Sequence, residues 1–357
     1  MKNNKIKLLE QLIKIPSPSG FEENIALFIQ NELRKYLSKS KVKIDFQNNV
    51  LAFIKGESNK TVMIDAHTDT IGFIVTNIDK KGIINIQSIG GIDKRIVTAR
   101  RFVIITSKGN INAVVSRKPI HLIDNYDEEQ IDKMNEVQLD IGIRGRESVL
   151  SKVKIGDPIV YKSSFYKLSN NKKLGQFYAG TGLDDKTGCY ILLETIKEIV
   201  KSKIKPAVNL IFTFSAQEET NTKAKPLVRK YKPDLFIECD VTFATDYGES
   251  LEETVGKCEL GKGITLYRGV DIDKKSLQLI SSIAKKNKIK VQHQASIGDI
   301  GYIATLVTNI PTRALIIAPP LRNMHTEVEI VAEKDLNYGI KLLQTFLLSR
   351  KLKQILE

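Results

Sequence analysis

The chain has 357 residues, 42% of them apolar and 27% charged, a balance that excludes a disordered polypeptide and supplies enough apolar surface for a full core plus a smaller unit. Its formal net charge of +14 comes from lysines scattered through most segments; with no single basic block interleaved with aromatics, a solvated surface is expected and no nucleic-acid partner. The start, Met1-Lys2-Asn3-Asn4-Lys5-Ile6, leads into a charged amphipathic segment, and no uncharged run reaches membrane length, so the expectation is a cytoplasmic protein with no membrane partner.

In chain order, the spacing of Ile6, Leu8, Leu9, Leu12 and Ile13 predicts a helix that stops before Pro16-Ser17-Pro18-Ser19-Gly20, followed by a second helix over 22–37. Val62-Met63-Ile64 reads as a buried strand. Short β-like runs at 73–75, 83–89, 102–106, 111–115 and 159–161 are broken by glycines and charged turns, which predicts a small all-β unit over 73–162. Beyond about residue 175 helices and strands alternate: helix 186–201, strand 208–214, helix 223–231, strand 235–239, helix 274–287, strand 314–317 and helix 333–352. The fold class expected is therefore α/β, a mostly parallel sheet flanked by helices with an inserted small all-β domain. Cys189, Cys239 and Cys258 are odd in number and lack CxxC spacing, so reduced buried thiols are expected.

The chemistry gathers at strand ends. Val62-Met63-Ile64 runs into Asp65-Ala66-His67-Thr68-Asp69, the apolar run at 209–214 into Gln217-Glu218-Glu219, and the run at 235–239 into Asp240. In open α/β sheets, ligands collect outside the carboxyl ends of the strands, so these groups are expected in one crevice. Imidazole nitrogen and carboxylate oxygen suit zinc, cobalt or manganese. His67 and Asp69 are two apart, so both face the same way on an extended segment and Asp69 can fix the His67 tautomer. Gly180-Thr181-Gly182-Leu183-Asp184-Asp185-Lys186 opens a helix with paired acids, one of which can bridge two metals. Glu218 and Glu219 are adjacent, so both reach the site only if the chain leaves the sheet there; one can then bind metal while the other acts as a base. Taken singly, acid pairs are commonly solvated helix starts and His67 and His325 could be structural; the coincidence of several such strand ends favours a site. His121 and His293 have no comparable company.

Several stretches together resemble the M42 family of metallo-aminopeptidases, the glutamyl and tetrahedral aminopeptidase group. They are Pro18-Ser19-Gly20-Phe21-Glu22, Asp65-Ala66-His67-Thr68-Asp69-Thr70-Ile71-Gly72-Phe73, Ile89-Gly90-Gly91-Ile92-Asp93, Lys118-Pro119-Ile120-His121-Leu122 and Asp140-Ile141-Gly142 with Gly156-Asp157-Pro158. Leu183-Asp184-Asp185-Lys186, Gln217-Glu218-Glu219 and Met324-His325-Thr326-Glu327-Val328-Glu329 complete the set, which spans nearly the whole chain. The resemblance implies a zinc-peptidase-like catalytic domain over 1–72 and 163–357, with 73–162 as a β-rich dimerisation domain. It also implies two divalent ions per subunit, zinc or cobalt or else manganese, one held by His67 and Asp240, the other by Glu219 and His325, with Asp184 bridging. Glu218 would be the general base and Asp69 the supporting carboxylate. Peptide substrates and a homo-oligomer, a dimer building block or a dodecamer, follow on the same ground. The alternatives are a related two-metal deacylase or dipeptidase, or a metal-binding scaffold without turnover. Two departures stand out: Thr70 where the family usually has Glu, and Thr220-Asn221-Thr222-Lys223 where it has Val-Gly followed by a basic and a small residue.

Overall fold

The computed structural model describes residues 6–116, 121, 137–220, 224–248, 252–296 and 312–357. Its centre is an eight-stranded sheet in the spatial order Val42–Ile44, Val50–Ile54, Asn209–Ser215, Thr61–His67, Leu235–Glu238, Arg313–Ala318, Ile264–Gly269, Val291–Ser296. The strands Asn209–Ser215, Thr61–His67, Leu235–Glu238 and Arg313–Ala318 run parallel to one another. They are the most apolar: Val62, Met63, Ile64, Phe212, Phe214, Phe236 and Ile237 are all fully buried, as parallel strands covered on both faces require.

Four of the seven strand pairings in this sheet are parallel, and the flanks make it mixed. Val42–Ile44 and Val50–Ile54 form an antiparallel pair, and Val50–Ile54 meets Asn209–Ser215 antiparallel as well. The connection between the first two spans only residues 45–49, closed by the Asp45 carboxylate accepting from the Gln47 and Asn49 amides. A link that short can join only antiparallel neighbours. On the other side, Ile264–Gly269 is antiparallel to Arg313–Ala318 and parallel to Val291–Ser296.

Helices cover the sheet. Ile6–Ile13 buries Leu9, Leu12 and Ile13 on one stripe and ends ahead of Pro16; Glu23–Leu33 buries Ile25, Ala26, Ile29 and Leu33, stopping short of the expected 37. Both pack on the long helix Leu183–Ser202, which also contacts the strand Thr61–His67 and the helix Glu333–Leu347. Each fully buried aliphatic side chain here contributes about 1.5–3 kcal/mol of transfer free energy, so the first turns of Leu183–Ser202 are held rigidly beneath the strand ends.

The β-rich stretch closes into a six-stranded barrel of Gly72–Ile78, Ile84–Ile89, Gln138–Asp140, Gly109–Ser116, Arg101–Thr106 and Pro158–Tyr161. Phe73, Phe102 and Tyr161 pack ring to ring at 5.1–5.6 Å between centroids in its separate apolar core. Among the described residues, no helix is long and apolar enough to cross a membrane. The three cysteines are buried and free. Of the motifs read from the sequence, residues 118–120, 122 and 221–223 lie outside the described residues.

Candidate metal centre

The register of the central strands assembles the site. His67 pairs beside Ser215, and Asp65 beside Glu238, so the chain leaves all three strands at one edge. His67 ends its strand, and Asp240 follows Leu235–Glu238 by two residues. Asp184 sits at the start of Leu183–Ser202, where Asp184 and Asp185 depart from helical dihedrals and are joined by a cis peptide. The strand Asn209–Ser215 gives way to Gln217 at φ +60° and then to the 3₁₀ turn Glu218–Thr220. The chain thus leaves the sheet before the acid pair. His325, at φ +61°, comes from the loop before Glu329–Ala332.

Asp184 stands between the two histidines. Its Oδ1 lies 3.1 Å from His67 Nε2, and its Oδ2 lies 3.4 Å from His325 Nε2. Asp240 Oδ1 is 3.7 Å from His67 Nε2, and Glu219 Oε2 is 3.3 Å from His325 Nε2. Two ligand groups result, His67–Asp184–Asp240 and Asp184–Glu219–His325, each with donor atoms within 4.8 Å of one another. The donor set is nitrogen and carboxylate oxygen, which fits a divalent cation of the zinc, cobalt or manganese type.

Each imidazole has its other nitrogen engaged. His67 Nδ1 is 3.1 Å from the Asp69 carbonyl and 3.5 Å from its carboxylate, so the backbone oxygen is the nearer partner. His325 Nδ1 is 2.8 Å from the carbonyl of Gly91, in a turn at the rim of the barrel. As donors to these carbonyls, both rings leave Nε2 facing the carboxylates. The same turn has Gly90 at φ +80°, where an added Cβ would meet Glu219.

The Asp69 carboxylate, 3.5 Å from His67 Nδ1, has further partners. Its Oδ1 accepts the Glu218 amide at 2.9 Å, and its Oδ2 accepts the Glu219 amide at 3.0 Å together with the Ser19 hydroxyl. One fully buried carboxylate therefore anchors the turn that carries the acid pair.

The charges are strongly perturbed. Burial alone would raise Asp184, but the His325 and His67 imidazoles outweigh it and hold the carboxyl well below the usual range. Burial, with Asp184 nearby, pushes Glu219 up to about 8. Burial also pushes Asp240 up to about 7, Asp184 and Glu218 adding to the shift and His67 opposing it. Burial would lower His325, yet Asp184 and Glu219 drive it up to about 10. Packing this many carboxylates into a largely buried crevice holds protons at neutral pH, and a divalent cation between them would discharge that strain.

Sequence reasoning did not assign Glu329 a role. It is buried, accepting the Asp184 amide on Oε2 at 3.1 Å and the His325 amide on Oε1 at 3.0 Å. Its place four residues after His325 was the available signal. Glu22 is similar: its Oε1 accepts from Gly20 and from Gln217, and burial pushes it up to about 7. Thr70 donates its amide to the Ser17 carbonyl and lies against Gly182, which has no room for a Cβ there. His293 is remote, packed against Leu266, and His121 lies within a segment mostly outside the described residues.

Comparison with known proteins identifies the family. The lysyl aminopeptidase of Pyrococcus furiosus is 29% identical over 349 residues, covering 96% of each chain. The TET aminopeptidase of the marine sediment archaeon Thaumarchaeota archaeon SCGC AB-539-E09 superposes with a TM-score of 0.91 at 24% identity, over 99% of this chain and 98% of that one. PhTET1-12s, solved as a dodecamer, gives 0.84 at 28% identity, over 96% of this chain and 99% of that one. The M42 glutamyl aminopeptidase family profile matches residues 48–342, and the chain belongs to that family of peptide hydrolases.

Proposed function

We propose that this chain is a two-metal aminopeptidase that removes N-terminal residues from peptides. The observation that carries the reading is Asp184, whose two carboxylate oxygens face two different imidazoles. That is the arrangement a bridging ligand needs. His67 and Asp240 would hold one ion, Glu219 and His325 the other, with Asp184 shared. Divalent ions bound there would polarise the scissile carbonyl and acidify water, zinc or cobalt being the expected metals and manganese a further candidate. Glu218 takes the proton of the attacking water and delivers it to the leaving amine. Asp69 holds Glu218 and Glu219 in register, and Glu329 fixes the backbone at Asp184 and His325.

In the same reading, residues 1–72 and 163–357 form the catalytic domain and 73–162 the dimerisation domain of a homo-oligomer. The dodecameric relative supports assembly of that kind. Three buried reduced thiols accord with a cytoplasmic setting.

The test is hydrolysis of aminoacyl-anilides and N-acetylated peptides by purified protein with added zinc or cobalt. Release only from free N-termini is expected. Release only from acylated substrates would make the chain a deacylase, and binding of metal without any release would make it a scaffold.

A further inference from the structure

Lys186 lies two residues after Asp184 with only 1% of its surface exposed, and no step of the proposed reaction uses it. Its ammonium donates to the Ser17 hydroxyl and to the carbonyl of Thr68. The Ser17 hydroxyl in turn donates to that same carbonyl at 2.7 Å. Thr68 is the residue between His67 and Asp69, so one peptide oxygen, gripped from two sides, sits between a ligand and the carboxylate that anchors the acid pair. Both acceptors of Lys186 are neutral oxygens, and the carboxylates of Asp69, Glu22 and Asp185 surround it at longer range. A cation buried on neutral acceptors is costly to keep for stability alone.

We infer that Lys186 is a positioning residue for the metal centre, a brace between the helix start that presents Asp184 and the turn that presents His67. The same helix ties this turn a second time further along, where the Cys189 thiol donates to the His67 carbonyl at 3.0 Å; Lys186 is the tie at the helix start, two residues from Asp184 and directly behind the 3.1 Å approach of His67 Nε2 to Asp184 Oδ1. The inference rests on the two-metal reading.

The experiment measures Zn²⁺ affinity of the metal-free full-length protein by chelator competition, the Co²⁺ absorption spectrum, and thermal melting. Wild-type protein that binds no zinc would sink the two-metal reading itself. With wild-type binding in place, K186M, which keeps an apolar stem of similar length, is expected to melt within a few degrees of wild type without metal. It should bind Zn²⁺ at least about tenfold more weakly and show a shifted Co²⁺ spectrum, since ligand geometry has changed. S17A should weaken binding by a smaller factor, about threefold. Wild-type affinity and spectrum in folded K186M would overturn the inference. Should K186M fail to fold, S17A decides: reduced affinity with a shifted spectrum supports the brace, and unchanged values overturn it.

Discussion

Replacing Asp69 by Asn separates two ways a carboxylate can serve this centre. In the wild type, Oδ1 takes one buried amide, from Glu218, while Oδ2 takes the Glu219 amide and the Ser19 hydroxyl. An Asn side chain has one accepting oxygen and one donating nitrogen. Whichever way the amide is turned, one backbone N–H then faces another donor. Losing one hydrogen bond to a charged acceptor costs about 1.5–3 kcal/mol, and the stranded amide adds to it. About 2–3 kcal/mol falling on the Glu218–Glu219 turn corresponds to a 30- to 150-fold loss in binding or turnover. His67, by contrast, leans chiefly on the Asp69 backbone carbonyl, which the substitution leaves in place. D69N is therefore expected to weaken the ion held by Glu219 and His325 by about 30-fold or more, and the ion held by His67 and Asp240 by no more than about twofold. Stepwise calorimetric titration of metal-free protein with Zn²⁺ reads both events. Equal weakening of the two, or loss confined to the His67 side, would refute the account of Asp69 as an anchor for the acid pair.

Glu218→Gln should retain both binding events in the same titration and lose more than about 10²-fold in kcat, the contribution of a general base; unchanged kcat would remove Glu218 from proton transfer. Gly188→Ala would place a Cβ about 2.2 Å from both the Asp185 carboxylate and the Cys239 carbonyl. Because that carbonyl immediately precedes Asp240, thermal melting and zinc affinity should both fall, and a wild-type melt with wild-type affinity would contradict the tight approach. Away from the centre, burial pushes Asp335 up to about 7, although the Gly261 and Gly263 amides, donating at 2.6 and 2.7 Å, oppose the shift. Its folded proton affinity exceeds that of the unfolded chain, so its contribution is complete below about pH 4 and is lost as pH rises to about 7. The loss is at most about 4 kcal/mol. Asp335→Asn should flatten this part of the stability profile in urea unfolding between pH 4 and pH 8, and a slope equal to wild type would show that Asp335 does not titrate there.

Much of the centre was legible because it depends on short-range pattern. Apolar runs that end in His67 or Asp240 mark the carboxyl edge of a parallel sheet, and the adjacency of Glu218 and Glu219 forces the chain out of strand geometry, as the turn after Gln217 does. The β-rich stretch was visible as period-two runs, while its closure into a barrel depends on pairings such as Phe73 with Ile159 that no local pattern encodes. The antiparallel flanks of the main sheet escaped for the same reason: the strand at 264–269 joins its neighbour in a direction its own residues do not specify. Least legible were the tethers. Ser19 reaches Asp69 across 50 positions, Lys186 reaches Ser17 across 169, and Glu22 reaches Gln217 across 195. Serine, lysine and glutamate near a turn look like ordinary solvated residues until the fold buries them.

The Gly90-Gly91 turn at the rim of the barrel has a bearing on protein engineering. Since the Gly91 carbonyl accepts from His325 Nδ1 and so sets the direction of the ring, and Gly90 leaves room for Glu219, the barrel is not a detachable accessory. A chimera that exchanges barrels between relatives, even with every candidate ligand retained, edits the surroundings of Glu219 and His325. Such a graft keeps that geometry only if the two glycines travel with the recipient's main sheet or are reproduced by the donor.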